Sequence, residues 1–278
     1  MVKNMSRRGL VISNPISVLD NGVVIKSSTL DLQELRANLL FWDVLDYPVG
    51  GPIYSGPNDD TKFLISTGVI ERTKVSFTKN SNLNHAPLLA FLEAFRYREE
   101  EEPGIWSLST GENSIDFPYA EKNEGRGVLV KLVNAIPVPD KDVPLAEILE
   151  FKEKRKAELL SLRHHLEETY LKIINAGDGP LALNVELEKL QHAISDHIKT
   201  SRETGFKLRL QDLSADLNLK ELCVTALTAH QMGLTILNSM LTGAASSLSI
   251  NISRSLIGRE PSANPYRYVA SFHNQLFV

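Results

Sequence analysis

The sequence lacks most of the residues and motifs that mark a catalytic or cofactor site. Its 278 residues include one cysteine, Cys223, which excludes an intramolecular disulfide framework and a cysteine-based zinc site. Neither the phosphate-binding motif G-x-x-x-x-G-K-[ST] nor the nucleophile motif G-x-S-x-G occurs. Gly125 and Gly127 supply only two of the three glycines of a dinucleotide-binding loop, and they precede a predicted strand instead of following one. We therefore predict that the protein binds no cofactor.

A strong excess of charge of either sign is also missing. The formal net charge is −4, with 42% hydrophobic and 23% charged residues, which is typical of a globular protein with a sizeable core. A protein that coats nucleic acid needs clustered Lys and Arg, so nucleic-acid binding is not expected. No apolar run of signal-peptide length follows Lys3, Arg7 and Arg8, and a single cysteine fits a reducing compartment. We expect a cytoplasmic protein.

Strands and helices alternate in the first half of the chain. The turn signal Asn21-Gly22 predicts a hairpin whose returning strand follows it directly. Apolar residues three or four apart predict a helix over residues 31–47, with Asp31 as its N-cap. An apolar run at residues 127–138, closed by prolines, predicts a last strand.

Helical periodicity dominates the second half. One long helix is predicted over residues 144–174, and a second is under way by Val185, after a break at residues 175–180. Each helix carries apolar residues three or four apart, which are Leu159, Leu162, Leu166, Tyr170 and Ile173 in the first and Leu187, Leu190, Ile194 and Ile198 in the second. Such seams pack on other helices, and the short break favours an antiparallel helical hairpin.

These patterns predict an α+β protein with two domains. Residues 1–140 form a mixed α/β domain, and residues 141–278 form a mainly α-helical domain with the long antiparallel hairpin. The apolar seams predict a non-enzymatic protein that forms a homo-oligomer or binds a partner protein by helix packing. Its predicted anchors are Leu159, Leu162, Leu166 and Ile194.

A charge-free stretch follows the predicted hairpin. Residues 222–253 contain no Asp, Glu, Lys or Arg. Ser239, Gly243 and Ser247 are four residues apart, so their small side chains share one helix face and add to the predicted interface. The favoured interpretation is a helix or a pair of helices buried by protein. The alternative is a membrane-disrupting segment, although its many polar residues oppose spontaneous spanning of a bilayer.

Two groups of residues are candidates for chemistry. The predicted helices carry one group of possible metal ligands, which consists of His165, Glu168, His192 and Asp196. Di-metal helical bundles use the order Glu-x-x-His, which is reversed here, so we predict no metal. In the first half, Asp43 is the carboxylate candidate for a hydrolase or nuclease, although Asp near an element end ordinarily caps a helix or shapes a turn.

Five short motifs are spread over most of the chain. They are Phe41-Trp42-Asp43, Phe63-Leu64 with Gly68-Val69-Ile70, residues 144–151, Gly243-Ala244-Ala245, and Asn264-Pro265-Tyr266-Arg267-Tyr268-Val269. Together they resemble a bacterial family known only as a domain of unknown function. The resemblance implies a bacterial cytoplasmic protein and assigns no catalytic residue. Such families often lie in accessory or antiviral loci, so by association it also implies a component of an antiviral defence or toxin-like system.

Overall fold

The computed structural model describes residues 7–19, 22–50, 56–76, 86–116, 127–136, 138, 142–203 and 264–276. The strands are β1 (Gly9–Val11), β2 (Ile16–Leu19), β3 (Gly22–Ile25), β4 (Val44–Asp46), β5 (Ile70–Glu71), β6 (Trp106–Leu108) and β7 (Ile115–Asp116). The helices are α1 (Leu32–Phe41), α2 (Asp59–Ser66), α3 (Ala86–Glu101), α4 (Gly127–Asn134), α5 (Leu145–Lys154), α6 (Lys156–Ile174), α7 (Gly179–Glu203) and α8 (Arg267–Gln275). The predicted α+β class is therefore confirmed.

Four strands form a wholly parallel sheet in the order β5-β4-β1-β6. Counted along the chain, these are the third, second, first and fourth strands of that sheet. The connections therefore run in one direction from β1 to β5 and reverse to reach β6. Leu10 and Val11 of the inner strand β1 are wholly buried, as expected for a parallel strand covered on both faces. In such sheets the carboxyl ends of the strands commonly form the ligand-binding crevice.

Strand β1 and its neighbour β6 approach very closely at Gly9. A Cβ atom at this position would lie 2.5 Å from Cε3 of Trp106. Glycine is required there because the indole ring of Trp106 fills the space that any side chain would occupy.

A smaller sheet has the order β3-β2-β7. β2 pairs with β3 in antiparallel register, with Ile16 opposite Ile25, so the returning strand predicted after Asn21-Gly22 is confirmed. β7 joins the other side of β2 in parallel.

The prediction of a helix over residues 31–47 is right at its start and wrong at its end. The side chain of Asp31 accepts a hydrogen bond from the backbone N–H of Glu34, as expected of an N-cap. The helix ends at Phe41, because Trp42 adopts an extended backbone and the chain then enters the sheet as β4. The pairing of β4 with β1 and β5 overrides the helical period.

The strand predicted at residues 127–138 is wrong, since the structure has helix α4 there. Leu132 and Val133 are buried, and the helix contacts β6 and α6. A short apolar run is compatible with either a buried strand or a buried helix, and packing decides between them.

The long helix predicted over residues 144–174 is broken in two. Arg155 leaves the helical conformation, with φ −109° and ψ 19°, and separates α5 from α6. α6 packs against α4, α7 and α8. One hydrophobic core extends from Leu10 and Leu45 in the sheet to Leu162 and Tyr268 in the helices. The division into two domains stays a prediction.

Candidate functional site

A buried carboxylate lies at the carboxyl end of β4. Asp46 is 0% exposed, and its Oδ2 accepts a hydrogen bond of 2.7 Å from Nε of Arg98 on α3. Its Oδ1 accepts the backbone N–H of Thr73 at 3.0 Å, and the Thr73 hydroxyl donates to Oδ2. Since a buried charge needs such partners, this network joins α3 to the chain that follows β5.

The guanidinium of Arg98 contacts two carboxylates and an aromatic ring. Its Nη1 lies 2.8 Å from Oε2 of Glu71, and its guanidinium lies over the ring of Trp106 at 4.7 Å. Burial opposes the charge of Arg98, but the hydrogen bonds and charges of Asp46 and Glu71 prevail and raise its pKa. Glu71 also pairs with Arg7 at 2.8 Å. Arg98 is therefore a rigid, permanently charged group.

A groove of about 800 Å³ runs beside this network. One wall is formed by five consecutive residues after β5 and the other by one side of α3. The lining residues are Arg72, Thr73, Lys74, Val75, Ser76, Glu93, Arg96, Tyr97, Arg98 and Glu101. Four are cationic and two are acidic, whereas only Val75 and the half-exposed ring of Tyr97 offer apolar surface. Small-molecule pockets are mostly apolar, so this groove differs from them.

The strand wall of the groove presents backbone groups. Val49 donates its N–H to the carbonyl of Thr73 at 2.8 Å, and Val75 donates its N–H to the carbonyl of Val49 at 2.8 Å. Because successive residues of a strand turn their backbone groups to opposite sides, the N–H and C=O of Lys74 point away from Val49. β5 is the outermost strand of the parallel sheet within the described residues. Within the described part of the chain, one wall of the groove therefore belongs to a sheet edge that no further described strand pairs with.

A second polar cluster lies where the strand order reverses, between β1 and β6. The hydroxyl of Ser114 donates to Ser109 Oγ at 2.8 Å, and Ser13 Oγ lies 3.4 Å from Ser114 Oγ. All three serines are buried. Glu34, in the first turn of α1, forms a side-chain hydrogen bond with Ser109, which lowers the pKa of Glu34. Burial and the charge of Asp31 outweigh this effect and raise the pKa of Glu34 to about 7. Glu34 can therefore exchange a proton near neutral pH.

Asp43 lies at the opposite, amino end of β4. Arg163 of α6 donates to its two carboxylate oxygens at 2.7 and 3.0 Å, and the backbone N–H of Arg8 donates at 2.8 Å. Burial opposes the ionised form, but Arg163 and Arg8 outweigh it and lower the pKa of Asp43. A bidentate pair of this kind fixes the relative orientation of the two side chains. The catalytic role of Asp43 stays a prediction.

A lysine with a lowered pKa lies beside this pair. Nζ of Lys152 donates to the carbonyl of Trp42 at 2.5 Å. Burial lowers the pKa of Lys152 to about 8, and the neighbouring Asp43 opposes that shift. The sequence patterns predict no functional role for Lys152 or Arg163, because each lies on a helix whose charged residues are typical of an exposed surface.

The four candidate metal ligands differ in exposure. His165 is half-buried, whereas Glu168, His192 and Asp196 are exposed. Nε2 of His165 lies 2.7 Å from the hydroxyl of Tyr266. Within the ranges that the structure describes, no three His, Cys, Asp or Glu side chains are grouped so that they could hold a metal ion.

Two histidines contact the segment that precedes α8. Besides the contact of His165 with Tyr266, Asn264 Nδ2 lies 3.0 Å from Nδ1 of His197. Oδ1 of Asn264 accepts the backbone N–H of Tyr266 at 2.9 Å, which orients the amide so that Nδ2 donates to an unprotonated His197. Burial lowers the pKa of both histidines, so the neutral forms are favoured.

The predicted interface anchors are internal. Leu159, Leu162, Leu166 and Ile194 are each at most 1% exposed, within the packing of α6 and α7. One chain alone is enough to bury them, and their role between chains stays a prediction. Ser239, Gly243 and Ser247 lie outside the described residues, as do Cys223 and the whole charge-free stretch. Among the helices that are described, none is long and apolar enough to cross a bilayer.

Comparisons with known proteins place the chain in a family. One family model matches residues 6–277, and it describes a family of unknown function. No curated protein and no solved structure matches the chain. The family match confirms the resemblance that the short sequence motifs carry.

Proposed function

The chain belongs to DUF6236, that family of unknown function, and we propose that it is a partner-binding protein that adds an extended segment of another protein to the open edge of its parallel sheet. The observation that carries this proposal is the groove between residues 72–76 and α3. Five consecutive residues line one wall, so side chains from both sides of this extended segment border the groove.

The backbone of Lys74 supplies the docking contacts. In strand addition, the partner's backbone accepts from the edge N–H and donates to the edge C=O, while pockets beside the edge select side chains. Lys74 presents both groups away from Val49. The side chains from Glu93 to Glu101 on α3 form the other wall of the groove, while a strand added to the edge would lie about 4.8 Å from it.

The polarity of the groove also favours a peptide. A compact small molecule gains affinity mainly from apolar contact, whereas charged walls suit the polar rim of a protein interface. The hydrogen bond of Arg98 to Asp46 and its ion pair with Glu71 hold its side chain in place. One charged side chain of the groove is therefore ordered before a partner binds.

The test begins with an unbiased peptide-display selection against the full chain. Binding of a selected peptide is then measured to Lys74→Ala and Lys74→Pro. Proline removes the outward N–H while leaving the two ladder bonds to Val49 intact, and edge positions tolerate it. We expect Lys74→Pro to weaken binding about fivefold or more, as for one lost hydrogen bond, beyond any effect of Lys74→Ala.

A scan of the peptide avoids any change to the protein. N-methylation removes one peptide N–H at a time, and strand addition predicts a loss of affinity at every second position. Equal binding of all N-methylated peptides, or a loss without this alternation, contradicts the proposal.

The finer organisation of the chain is part of the proposal. We propose that α6 and α7 form an antiparallel hairpin in a helical domain of residues 141–278, supported by their mutual contact and by the short connection between Ile174 and Gly179. Cytoplasmic location is supported by the single cysteine. Self-association, a role in defence or a toxin-like system, hydrolysis and membrane disruption stay predictions.

A further inference from the structure

Resting on that proposed function, we infer that the segment received by the groove carries acidic side chains at alternating positions. The inference concerns the chemistry of the partner, which strand addition alone leaves open. It follows from the order in which charges line the two walls.

The strand wall places two cations on one face. Arg72 and Lys74 are two residues apart on an extended segment, so their side chains point to the same side, and those of Thr73 and Val75 point to the other. A residue of an added strand lies about 5 Å, Cβ to Cβ, from the residue opposite it. Acidic residues two apart on the partner would therefore lie beside Arg72 and Lys74 together.

The two cations are presented differently. The guanidinium of Arg72 lies over the ring of Tyr47 at 4.8 Å, which orients it. Lys74 is exposed, and no described carboxylate forms a salt bridge with its ammonium group. An acidic partner side chain would supply that counter-charge.

The charges of the helical wall are mostly compensated within the chain. Arg96 pairs with Glu93 at 2.9 Å and with Glu100 at 2.5 Å. The Tyr97 hydroxyl donates to Glu101 at 2.7 Å. This wall therefore adds little net attraction for either sign, and the strand wall sets the preference.

The test uses three labelled synthetic hexapeptides in fluorescence polarisation with the full chain. One alternates Glu and Thr, the second alternates Gln and Thr, and the third has three Glu followed by three Thr. We expect the alternating Glu peptide to bind at least fivefold more tightly than either of the others, with an advantage that shrinks in about 0.5 M sodium chloride.

Lys74→Gln tests the recognising group. We expect it to reduce binding of the alternating Glu peptide about two- to fivefold and to leave the Gln peptide unaffected. The matched control is Lys62→Gln, since Lys62 is an exposed lysine of α2 outside the groove. Unfolding curves establish that both variants are folded.

The outcomes separate this inference from strand addition. Equal binding of the Glu and Gln peptides, or equal binding of the alternating and block peptides, overturns the inference. Absence of binding by the alternating Glu peptide also overturns it, while peptides from the unbiased selection, with their N-methyl scan, decide the proposed function separately.

Discussion

The guanidinium of Arg163 donates two hydrogen bonds to the carboxylate of Asp43, at 2.7 and 3.0 Å, and so joins α6 to the amino end of β4. The same guanidinium donates to the carbonyl of Phe41, at 2.6 Å from Nη2 and 3.0 Å from Nε. One side chain therefore ties the helices of the second half to the end of α1 and to the sheet. This contact makes the relative position of these elements sensitive to a single substitution.

The first prediction concerns that contact. Arg163→Gln leaves a partly buried carboxylate and a carbonyl without their donor, so we expect the free energy of unfolding to fall by about 2–3 kcal/mol. Urea denaturation measures it. Lys189→Gln is the control, because its exposed pair with Glu186 contributes less than about 1 kcal/mol. Similar losses in the two variants would contradict the structural role of the Arg163–Asp43 pair.

The second prediction concerns the buried pair behind the groove. Arg98→Ala leaves the fully buried carboxylate of Asp46 without its cation, so we expect a loss of about 3–5 kcal/mol in the free energy of unfolding. The double variant Asp46→Asn with Arg98→Ala lacks the unpaired carboxylate charge of Asp46. We expect it to recover part of the lost free energy of unfolding. Additive effects of the two substitutions in denaturation would show that the residues are not coupled.

The third prediction is a pH dependence caused by Glu34. Its pKa is raised from 4.5 to about 7 in the folded protein, so folding favours the protonated form. Stability therefore declines as the pH rises from about 4.5 through 7, by about 3 kcal/mol at most. Glu34→Gln removes this component, and thermal unfolding between about pH 5 and pH 9 measures it. If the stability of Glu34→Gln changed with pH in the same way as that of the wild type, Glu34 would not be the cause of the pH dependence.

The fourth prediction concerns the histidines that hold the segment before α8. Burial lowers the pKa of His197 below its ordinary value of 6.5, so its contribution is present above that value and is lost as the pH falls through the lowered pKa. Asn264→Asp places a carboxylate beside the ring and should raise the pKa of His197. Titration by NMR checks the direction. An unchanged or lower pKa in the variant would show that Asn264 does not contact His197 in solution.

Local signals in the sequence predicted those parts of the fold that local chemistry determines. The cap at Asp31 needs only its own turn of helix, and the β2–β3 hairpin needs only a short connection. β4 was missed because three residues become a strand through pairing with β1 and β5. α4 was predicted wrongly because its apolar run satisfies both periods until β6 and α6 pack against it.

The candidate site depends still more on long-range pairing. Lys74 and Arg98 look like ordinary surface residues in the sequence, and Asp46 lies inside a segment predicted to be helical. Their roles follow from which sheet edge no further described strand pairs with and from the groove that residues 72–76 line together with α3. Charge counts along the chain contain no information about either fact.

The most direct measurement is hydrogen exchange at the backbone amide of Lys74, followed by NMR with and without a selected peptide. An open edge predicts fast exchange in the free protein and slower exchange when the peptide is bound, because the added strand accepts that N–H. The amide of Val75, which donates to Val49 in the free protein, serves as the internal reference and should be protected throughout. Saturating peptide with no slowing at Lys74 would contradict partner binding by strand addition.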